Sequence, residues 1–176
     1  KMVDGVLLVV DAYEGCMPQT KFVLRKALEH NLTPIVVVNK IDRPAARPAE
    51  VIDEVLDLFI ELGANDDQLE FPVVYASALN GTSSTDPEKQ DENMQALYDM
   101  IVDHIPSPTE KVDEPLQFLV TLMDYNEYLG RIAIGRVNRG VIRQGQPVAV
   151  MMRDGSKKSA RIEKLFGFQG LKRIET

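Results

Sequence analysis

The fold is decided by residues 35–42, IVVVNKID, in which four consecutive apolar residues run directly into Asn39, Lys40, Ile41 and Asp42. An uninterrupted apolar run of this length predicts a strand that is buried on both faces, as in a parallel sheet covered by helices. Residues 5–10 (GVLLVV) form a second such run, and residues 73–76 (VVYA) form a third. Amphipathic stretches separate the three runs, so the first half of the chain predicts the βαβ units of an α/β domain.

Helix signals lie between and after these strands. Pro18 suits the first turn of one helix. A second helix is predicted from about residue 48 to 62, and Gly63 can close it in a left-handed conformation. After the third strand, a polar loop at about 80–91 precedes a last helix that carries Met94, Leu97, Ile101 and Val102.

Two polar motifs follow the second and third strands: Asn39-Lys40-Ile41-Asp42 and Ser77-Ala78-Leu79. In open parallel sheets, ligands bind beyond the carboxyl ends of the strands, where both motifs are predicted to lie. The Asp42 carboxylate can accept the N1–H and N2–H of guanine together, a fork that adenine cannot satisfy. An isolated N-K-x-D string is also ordinary turn chemistry, whereas two ordered motifs, each after a buried strand, are far more specific.

The remaining motif residues have separate expected roles. The Asn39 amide can bond near N7 and tie the loops together, and the Lys40 stem can lie over the purine face. The Ala78 N–H can donate to O6, because the small side chains at 77 and 78 allow the main chain to approach. The predicted nucleotide-binding residues are therefore Asn39, Lys40, Asp42, Ser77, Ala78 and Leu79; no catalytic residue and no metal ligand is predicted.

The second half of the chain has a different pattern. Residues 105–115, IPSPTEKVDEP, contain three prolines and several charges, which suit a semi-rigid connector. We therefore predict an α/β domain at 1–106, a linker at 107–115 and a β domain at 116–176. Short β-like runs separated by turn signals predict a small antiparallel barrel, with strands at 116–122, 131–137, 147–152 and 159–165.

Charge divides the two halves. The whole chain carries −7, but residues 1–114 hold 9 Lys and Arg against 22 Asp and Glu, whereas residues 115–176 hold 11 against 5. A basic domain of this kind favours a polyanionic partner, although charge alone is equally consistent with simple solubility. The candidates for phosphate-backbone contact are Arg131, Arg136, Arg139, Arg143, Arg153, Lys157, Lys158, Arg161, Lys164, Lys172 and Arg173. Tyr125, Tyr128, Phe166 and Phe168 can stack on bases, but a place in the barrel core is the favoured interpretation.

Composition excludes several classes of protein. No apolar run reaches the roughly 20 residues that a membrane helix needs, and no secretory signal is present, so we expect a cytoplasmic protein without a membrane partner. The only cysteine, Cys16, cannot form an internal disulfide. It has no histidine or second cysteine near it in sequence and is interpreted as a bystander thiol.

Residues 2–15, 32–44 and 71–81 (MVDGVLLVVDAYEG, LTPIVVVNKIDRP and FPVVYASALNG) resemble the TypA/BipA family of translational GTPases, and less closely elongation factor G and the LepA factor. Residues 130–150, GRIAIGRVNRGVIRQGQPVAV, resemble the barrel that follows the GTPase domain in translation factors. The resemblance implies a P-loop-NTPase-type sheet of about three strands, GTP and GDP as ligands with Mg²⁺, and GTP hydrolysis. It also implies ribosome and ribosomal RNA binding through the barrel, with roles in ribosome assembly and stress response.

One departure from the family bears on activity. The sequence contains neither the phosphate loop GxxxxGK[ST] nor the D-x-x-G switch stretch with its histidine. We therefore expect a fragment that lacks the Mg²⁺ ligands and does not hydrolyse GTP alone. The strand at 5–10 would then have an unpaired apolar edge, and we expect either self-association through it or disorder of the strand. The alternatives are a non-catalytic ribosome- or RNA-binding module with a vestigial nucleotide pocket, or another translation factor such as elongation factor G.

Overall fold

The computed structural model describes residues 2–108 and 111–176 of the 176-residue chain. The chain divides into two compact units, Lys1–Pro108 and Thr109–Thr176. The first unit combines a sheet with helices, and the described part of the second forms strands. An α/β unit is thus followed by a β-rich one, as the sequence pattern predicts.

The first unit is built on a four-stranded sheet. Its strands are β1 (Gly5–Asp11), β2 (Thr33–Asn39), β3 (Val73–Ser77) and β4 (Thr82–Ser84), which lie in the order β1-β2-β3-β4. β1, β2 and β3 are parallel, because helices connect them, and β4 runs antiparallel to β3.

Four helices accompany this sheet: α1 (Pro18–Glu29), α2 (Pro48–Glu61), α3 (Asp66–Leu69) and α4 (Gln95–His104). Proline occupies the first turn of α1 and of α2, where its missing N–H costs nothing. Gly63 has a φ of 76° just after α2, so the predicted left-handed closure is confirmed. Among the described residues, no helix is long and apolar enough to span a lipid bilayer.

Strand β2 lies at the centre of the core, since all five residues from Pro34 to Val38 are buried. Successive side chains alternate between the two faces of a strand. Val36 and Val38 accordingly pack with Leu24 of α1 and with Val51, Val55 and Phe59 of α2. Ile35 and Val37 pack on the other face with Val74, Ala76 and Leu97. Burial on both faces confirms the interpretation of the IVVV run and holds the polar residues that follow it at the sheet end.

Strand β4 and helix α3 were not predicted from the sequence. β4 lies inside the predicted loop at 80–91. Its residues are Thr-Ser-Ser, which carry no apolar signal. Ser83 is nevertheless fully buried: its N–H donates to the Asn93 carbonyl at 2.8 Å, and its Oγ accepts from the Leu97 N–H at 3.2 Å. Hydrogen bonding rather than hydrophobic pattern therefore fixes this strand.

Strand β1 lies at the edge of the sheet, and within the described residues no strand pairs with its outer side. Leu7 is 38% exposed and Val9 is 56% exposed, whereas Leu8 and Val10 face the core. The edge carries no proline or charged residue from Gly5 to Val10. It therefore lacks the features by which natural sheets discourage pairing with another chain.

The described residues of the second unit form three antiparallel hairpins, each an independent two-stranded sheet. The hairpins are β5 (Gln117–Asn126) with β6 (Gly130–Arg139), β7 (Pro147–Met151) with β8 (Lys157–Arg161), and β9 (Phe166–Gln169) with β10 (Lys172–Glu175). The first two pairs follow the predicted strands with shifted ends, and the third was not predicted. Hydrogen-bonded ladders do not join one described hairpin to another.

The second unit buries little apolar surface: in its described part only Gly140 is classed as buried. Tyr125 is 69% exposed, Tyr128 94% and Phe168 60%. The expectation that these three rings lie in a barrel core is wrong for this structure, because Tyr128 stands in the turn between β5 and β6 and the other two lie near hairpin ends. Phe166 is partly covered.

Candidate functional site

The carboxyl ends of the three parallel strands meet at one edge of the first unit. β1 ends at Asp11, β2 at Asn39 and β3 at Ser77. Asp11 is the register partner of Asn39, and Asn39 is also the partner of Ala76. The loops that follow therefore lie side by side, as ligand-binding loops of open parallel sheets do.

Asn39 joins the two motif loops. Its Oδ1 accepts a hydrogen bond from the Ala78 N–H at 3.0 Å, and the Ile41 N–H donates to the Ala76 carbonyl oxygen at 3.2 Å. The structure thus brings together two motifs that stand 39 residues apart in the chain. The Ala78 N–H, which the sequence assigned to guanine O6, already has a partner, so a bond to O6 would share or replace this one.

Ser77 and Leu79 occupy contrasting positions in the second motif. Ser77 is 1% exposed, its Oγ accepts from the Asn80 N–H at 3.2 Å, and its carbonyl accepts from the Gly81 N–H at 2.9 Å. Ser77 therefore shapes the turn from within. Leu79 is 86% exposed and stands at the surface.

Asp42 stands free at the surface. Its side chain is exposed and has no hydrogen-bond or ion-pair partner among residues 2–108 and 111–176. A carboxylate of this kind keeps all its acceptor capacity for a ligand.

Lys40 adopts an uncommon backbone conformation, with a φ of 67°. Left-handed conformations are rare for residues with a side chain and require support from their surroundings. The Lys40 Nζ donates to Asp11 Oδ2 at 2.5 Å, and the Arg43 guanidinium lies 3.7 Å from the same oxygen. Two cations of the first motif region thus face one carboxylate at the end of β1.

Asp11 is a site residue that the sequence reading missed. Burial favours its neutral form, but the hydrogen bonds from Lys40 Nζ and from the N–H groups of Tyr13 and Glu14 outweigh this effect and lower its pKa to about 2. It is therefore charged across the physiological range. The available signal was an acid directly after an all-apolar strand parallel to the one that carries the first motif.

A second charged network holds the loop after β1 against α2. The Arg47 guanidinium binds Glu54 Oε1 at 2.6 Å and donates to the Tyr13 carbonyl oxygen at 3.0 Å. Glu54 Oε2 accepts from the Cys16 N–H at 3.1 Å. The hydrogen bond from Arg47 lowers the pKa of Glu54, despite the partial burial that opposes this change. This Arg47–Glu54 clamp fixes the loop that follows Asp11.

Cys16 lies within this clamp. Burial, followed by the negative charge of Glu54, raises the pKa of its thiol to about 11. A thiol that stays protonated at neutral pH is a poor nucleophile and a poor metal ligand. The interpretation of Cys16 as a bystander is supported.

The described residues at the strand ends do not form a candidate metal site. Among the described residues, no group of three or more His, Cys, Asp or Glu side chains can hold a metal ion. Two open surface depressions lie in the second unit: β7 and β8 line one, and residues Met123 to Tyr125 with Arg131 line the other. The strand-end site is described by its hydrogen-bonding groups.

The chain is similar to known proteins along its whole length. Residues 1–107 match the family model of the elongation factor Tu GTP binding domain. The large ribosomal subunit assembly factor BipA of Bacillus subtilis is 70% identical over 175 residues, which cover 99% of this chain and 29% of that protein. The factor of the same name from Escherichia coli O6:H1 is 52% identical over 175 residues, with the same coverage.

The corresponding factor of Haemophilus influenzae is 51% identical over 174 residues, which cover 99% of this chain and 28% of that relative. The chain thus spans less than a third of the length of these relatives. Because the similarity runs through both units, the resemblance to the TypA/BipA translational GTPases is confirmed, and the chain belongs to the family of the elongation factor Tu GTP binding domain.

Proposed function

We propose that this chain supplies the guanine-recognising part of a ribosome-associated translational GTPase. One observation carries the proposal: Asn39 ties the two motif loops together while the neighbouring Asp42 carboxylate has no partner within the described residues. We assign residues 1–106 to the carboxyl-terminal part of a GTPase domain, 107–115 to a linker and 116–176 to a translation-factor-type barrel. The three hairpins are compatible with strands of such a barrel.

The proposed recognition uses the base rather than the phosphates. Asp42 accepts the two N–H groups of the guanine edge, and the Lys40 stem covers one face of the ring. Asn39 bonds on the N7 side, and the Ala78 N–H reaches O6. Ser77 supports the turn from below, and Leu79 borders the site. A base that leaves the Asp42 carboxylate unpaired loses roughly 1–3 kcal/mol, which favours guanine over adenine.

The proposed function does not include GTP hydrolysis by this chain alone. Phosphoryl transfer depends on groups that position the γ-phosphate, Mg²⁺ and the attacking water. The sequence has no GxxxxGK[ST] stretch, whose amides, lysine and hydroxyl hold the phosphates and Mg²⁺ in P-loop GTPases. We therefore propose that the 176-residue chain recognises guanine nucleotide weakly and does not turn over GTP, and we propose GTP hydrolysis only for a protein that also carries the phosphate loop.

The base-recognition proposal is tested by titrating the ¹⁵N-labelled chain with millimolar GDP or ADP and following amide chemical shifts. The amides of Asn39, Asp42 and Ala78 are expected to shift with GDP and not with ADP. Asp42→Asn should remove most of the GDP response, whereas Asp53→Asn, which changes an exposed acid of α2, should keep it. Equal responses to the two nucleotides would refute guanine recognition.

Turnover is tested separately by incubating the purified chain with GTP and Mg²⁺ and measuring released phosphate. No release above a buffer blank is expected. Release that rises with protein concentration and is lost in Asp42→Asn would contradict the proposed lack of turnover.

We further propose that the second unit contacts ribosomal RNA during assembly of the large ribosomal subunit, the process named in the relatives' description. Residues 115–176 carry a net charge of +6. Lys157 and Arg161 of β8 are exposed and have no acidic partner in the described chain, and alternation along the strand puts them on one face. By contrast, Arg139 pairs with Glu114 and Arg173 with Asp124. A cytoplasmic location follows from this proposal, because ribosomes are cytoplasmic.

The rival proposal is an RNA-binding module whose nucleotide pocket is vestigial, and elongation factor G remains the alternative within the GTPases. RNA affinity with no GDP response in the titration above favours the vestigial pocket. Self-association through β1 is also proposed, since its outer edge has no strand partner in the described chain and the strand exposes apolar side chains, Leu7 and Val9, on one face.

A further inference from the structure

We propose that Asp11 is a positioning residue of the guanine site, which fixes the Lys40 side chain so that its methylene stem is ready to cover the purine face. This inference rests on the proposed function and adds to it a residue outside both sequence motifs. Three features support this role: the register of β1, the contact that holds the Lys40 side chain and the backbone conformation of Lys40.

The register places Asp11 beside the first motif. Asp11 and Asn39 are direct partners in the parallel pair β1–β2, so the acid lies at the same level as the start of Asn39-Lys40-Ile41-Asp42. The Ala12 N–H also donates to the Asn39 carbonyl oxygen at 2.8 Å. The end of β1 and the start of the motif therefore form one hydrogen-bonded unit.

The ion pair between Lys40 and Asp11 is short and partly shielded from water. The Nζ–Oδ2 distance is 2.5 Å, and the Asp11 side chain is 11% exposed, while that of Lys40 is 44% exposed. A free lysine side chain samples many rotamers, and fixing it before a ligand arrives removes part of the ordering cost of binding. The held side chain reaches from the residue that follows β2 to Asp11 at the end of β1.

The residue that Asp11 holds also has an uncommon backbone conformation. With a φ of 67°, Lys40 turns the chain so that the Ile41 N–H reaches the Ala76 carbonyl and the Arg43 N–H reaches the Lys40 carbonyl at 3.1 Å. A lysine rarely adopts this conformation without support. The ion pair with Asp11 provides support from the side-chain end.

Asp11 acts through Lys40 and not on the base itself. Its Oδ2 accepts from Lys40, and its Oδ1 accepts from the N–H groups of Tyr13 at 2.9 Å and Glu14 at 3.2 Å. Both oxygens are thus engaged within the protein, unlike those of Asp42. The low pKa of Asp11 keeps this arrangement charged at neutral pH.

The test compares GDP affinities of the complete 176-residue chain, measured by NMR titration, for the wild type, Asp11→Asn, Lys40→Met and the double variant. Asp11→Asn keeps an oxygen for the Tyr13 and Glu14 N–H groups but loses the charge that holds Lys40. We expect it to weaken GDP binding about fivefold, the size of effect expected when one long side chain has to be ordered on binding. The double variant should bind no more weakly than Lys40→Met.

The matched control is Glu61→Gln. It removes the carboxylate of another lysine ion pair, Lys21–Glu61, which has the same length of 2.5 Å but lies on α1 and α2. GDP affinity should not change in this variant. Asp11→Glu, which restores the charge on a longer side chain, should recover part of the loss and serves if Asp11→Asn does not fold.

The outcomes separate the two proposals. Unchanged GDP affinity in Asp11→Asn, with normal guanine preference, would overturn the role of Asp11 alone. An equal loss from Asp11→Asn in the wild-type and Lys40→Met backgrounds would mean that Asp11 acts only on the fold, and would also overturn it. A wild-type chain with no GDP response would overturn both proposals.

Discussion

At the scale of single residues, two carboxylates near neighbouring strand ends have opposite surroundings. Asp11 has donors on both oxygens and a pKa of about 2, whereas Asp42 is exposed and has no partner in the described chain. The difference arises because Asp11 ends a strand beside the Lys40 ammonium, while Asp42 stands two residues further along the turn. One acid therefore organises the site, and the other remains available to a ligand.

The first prediction concerns the base that Asp42 selects. Xanthine has a carbonyl where guanine has its N2 amino group, so it presents an acceptor in place of a donor. Asp42→Asn supplies an amide donor and should turn the preference of the chain from GDP to xanthosine diphosphate, with GDP weakened about tenfold or more. Competition titrations measure this change, and a variant that loses both nucleotides equally would count against a direct Asp42 contact.

The second prediction concerns pH. The pKa of Asp11 falls from an ordinary 3.8 to about 2 on folding. A lowered pKa means that the stabilisation is fully present above about 4 and is lost as the pH falls through 2, where about half of the Asp11 carboxyl groups that face Lys40 and Arg43 are already protonated. Asp11→Asn should therefore lower the free energy of unfolding by about 1 kcal/mol at pH 6 and by much less at pH 2. Urea denaturation at both pH values measures it; an equal cost at both would contradict the assignment.

At the scale of elements, the loop between β1 and α1 is fixed by contacts from α2. The Arg47–Glu54 clamp reaches the Tyr13 carbonyl and the Cys16 N–H, so α2 holds the loop that follows Asp11. Gly15 lies within this clamp at a φ of 73°, and a Cβ there would stand 2.0 Å from Glu54 Oε2. Gly63 has nearly the same φ, 76°, but no atom within 4 Å of the corresponding position.

The third prediction uses this pair of glycines. Gly63→Ala should cost about 1–2 kcal/mol of stability, because an alanine is strained in the left-handed region. Gly15→Ala should cost at least about 1 kcal/mol more, since Glu54 must move away and give up its bonds to Arg47 and Cys16. Urea unfolding of both variants measures the difference. Equal costs would show that Glu54 relaxes freely.

The fourth prediction concerns the β1 edge. Val9→Lys places a charge on the exposed apolar strand and should shift the chain toward monomer in sedimentation velocity, because lysine on an edge opposes strand pairing. Val102→Lys changes a more exposed valine on α4, 77% against 56%, and serves as the control that leaves the edge intact. A wild-type chain that is monomeric at high concentration would refute self-association.

At the scale of the whole molecule, opposite charge separates the two parts of the chain, −13 over residues 1–114 against +6 over residues 115–176. The fifth prediction follows from the basic part. Lys157→Gln with Arg161→Gln should weaken binding to purified large-subunit ribosomal RNA and reduce the salt slope by about 1.5–2, as for two lost phosphate contacts. Lys21→Gln with Lys26→Gln makes the same charge change in the first unit and should have little effect. Equal weakening by the two double variants would show that net charge alone, and not Lys157 and Arg161 in particular, attracts the RNA.

The extent to which the sequence predicts this molecule varies with the range of the interactions. The three parallel strands, α1, α2 and the closure at Gly63 follow from local apolar spacing and turn chemistry. β4 was missed because buried serines and their hydrogen bonds hold it. The third hairpin was missed because its two strands have only four residues each around Gly170. A single closed barrel depends on pairing between hairpins, which local patterns do not encode.

In the candidate site, too, some contacts could be predicted from the sequence and others could not. The meeting of the Asn39 and Ala78 loops follows from strand order alone and was predicted. The Asp11–Lys40 pair was missed because the two residues are 29 positions apart and only the register of β1 against β2 brings them together. The bond between Asn39 and the Ala78 N–H was also missed, because motif chemistry does not reveal which donors are already paired within the protein.

That bond has a consequence for timing. Before any base is present, the Ala78 amide proton is bonded to Asn39 Oδ1. Under the proposed recognition, guanine O6 has to share this proton or displace Asn39 from it, so the exchange of one hydrogen bond contributes to the rates at which the base is bound and released.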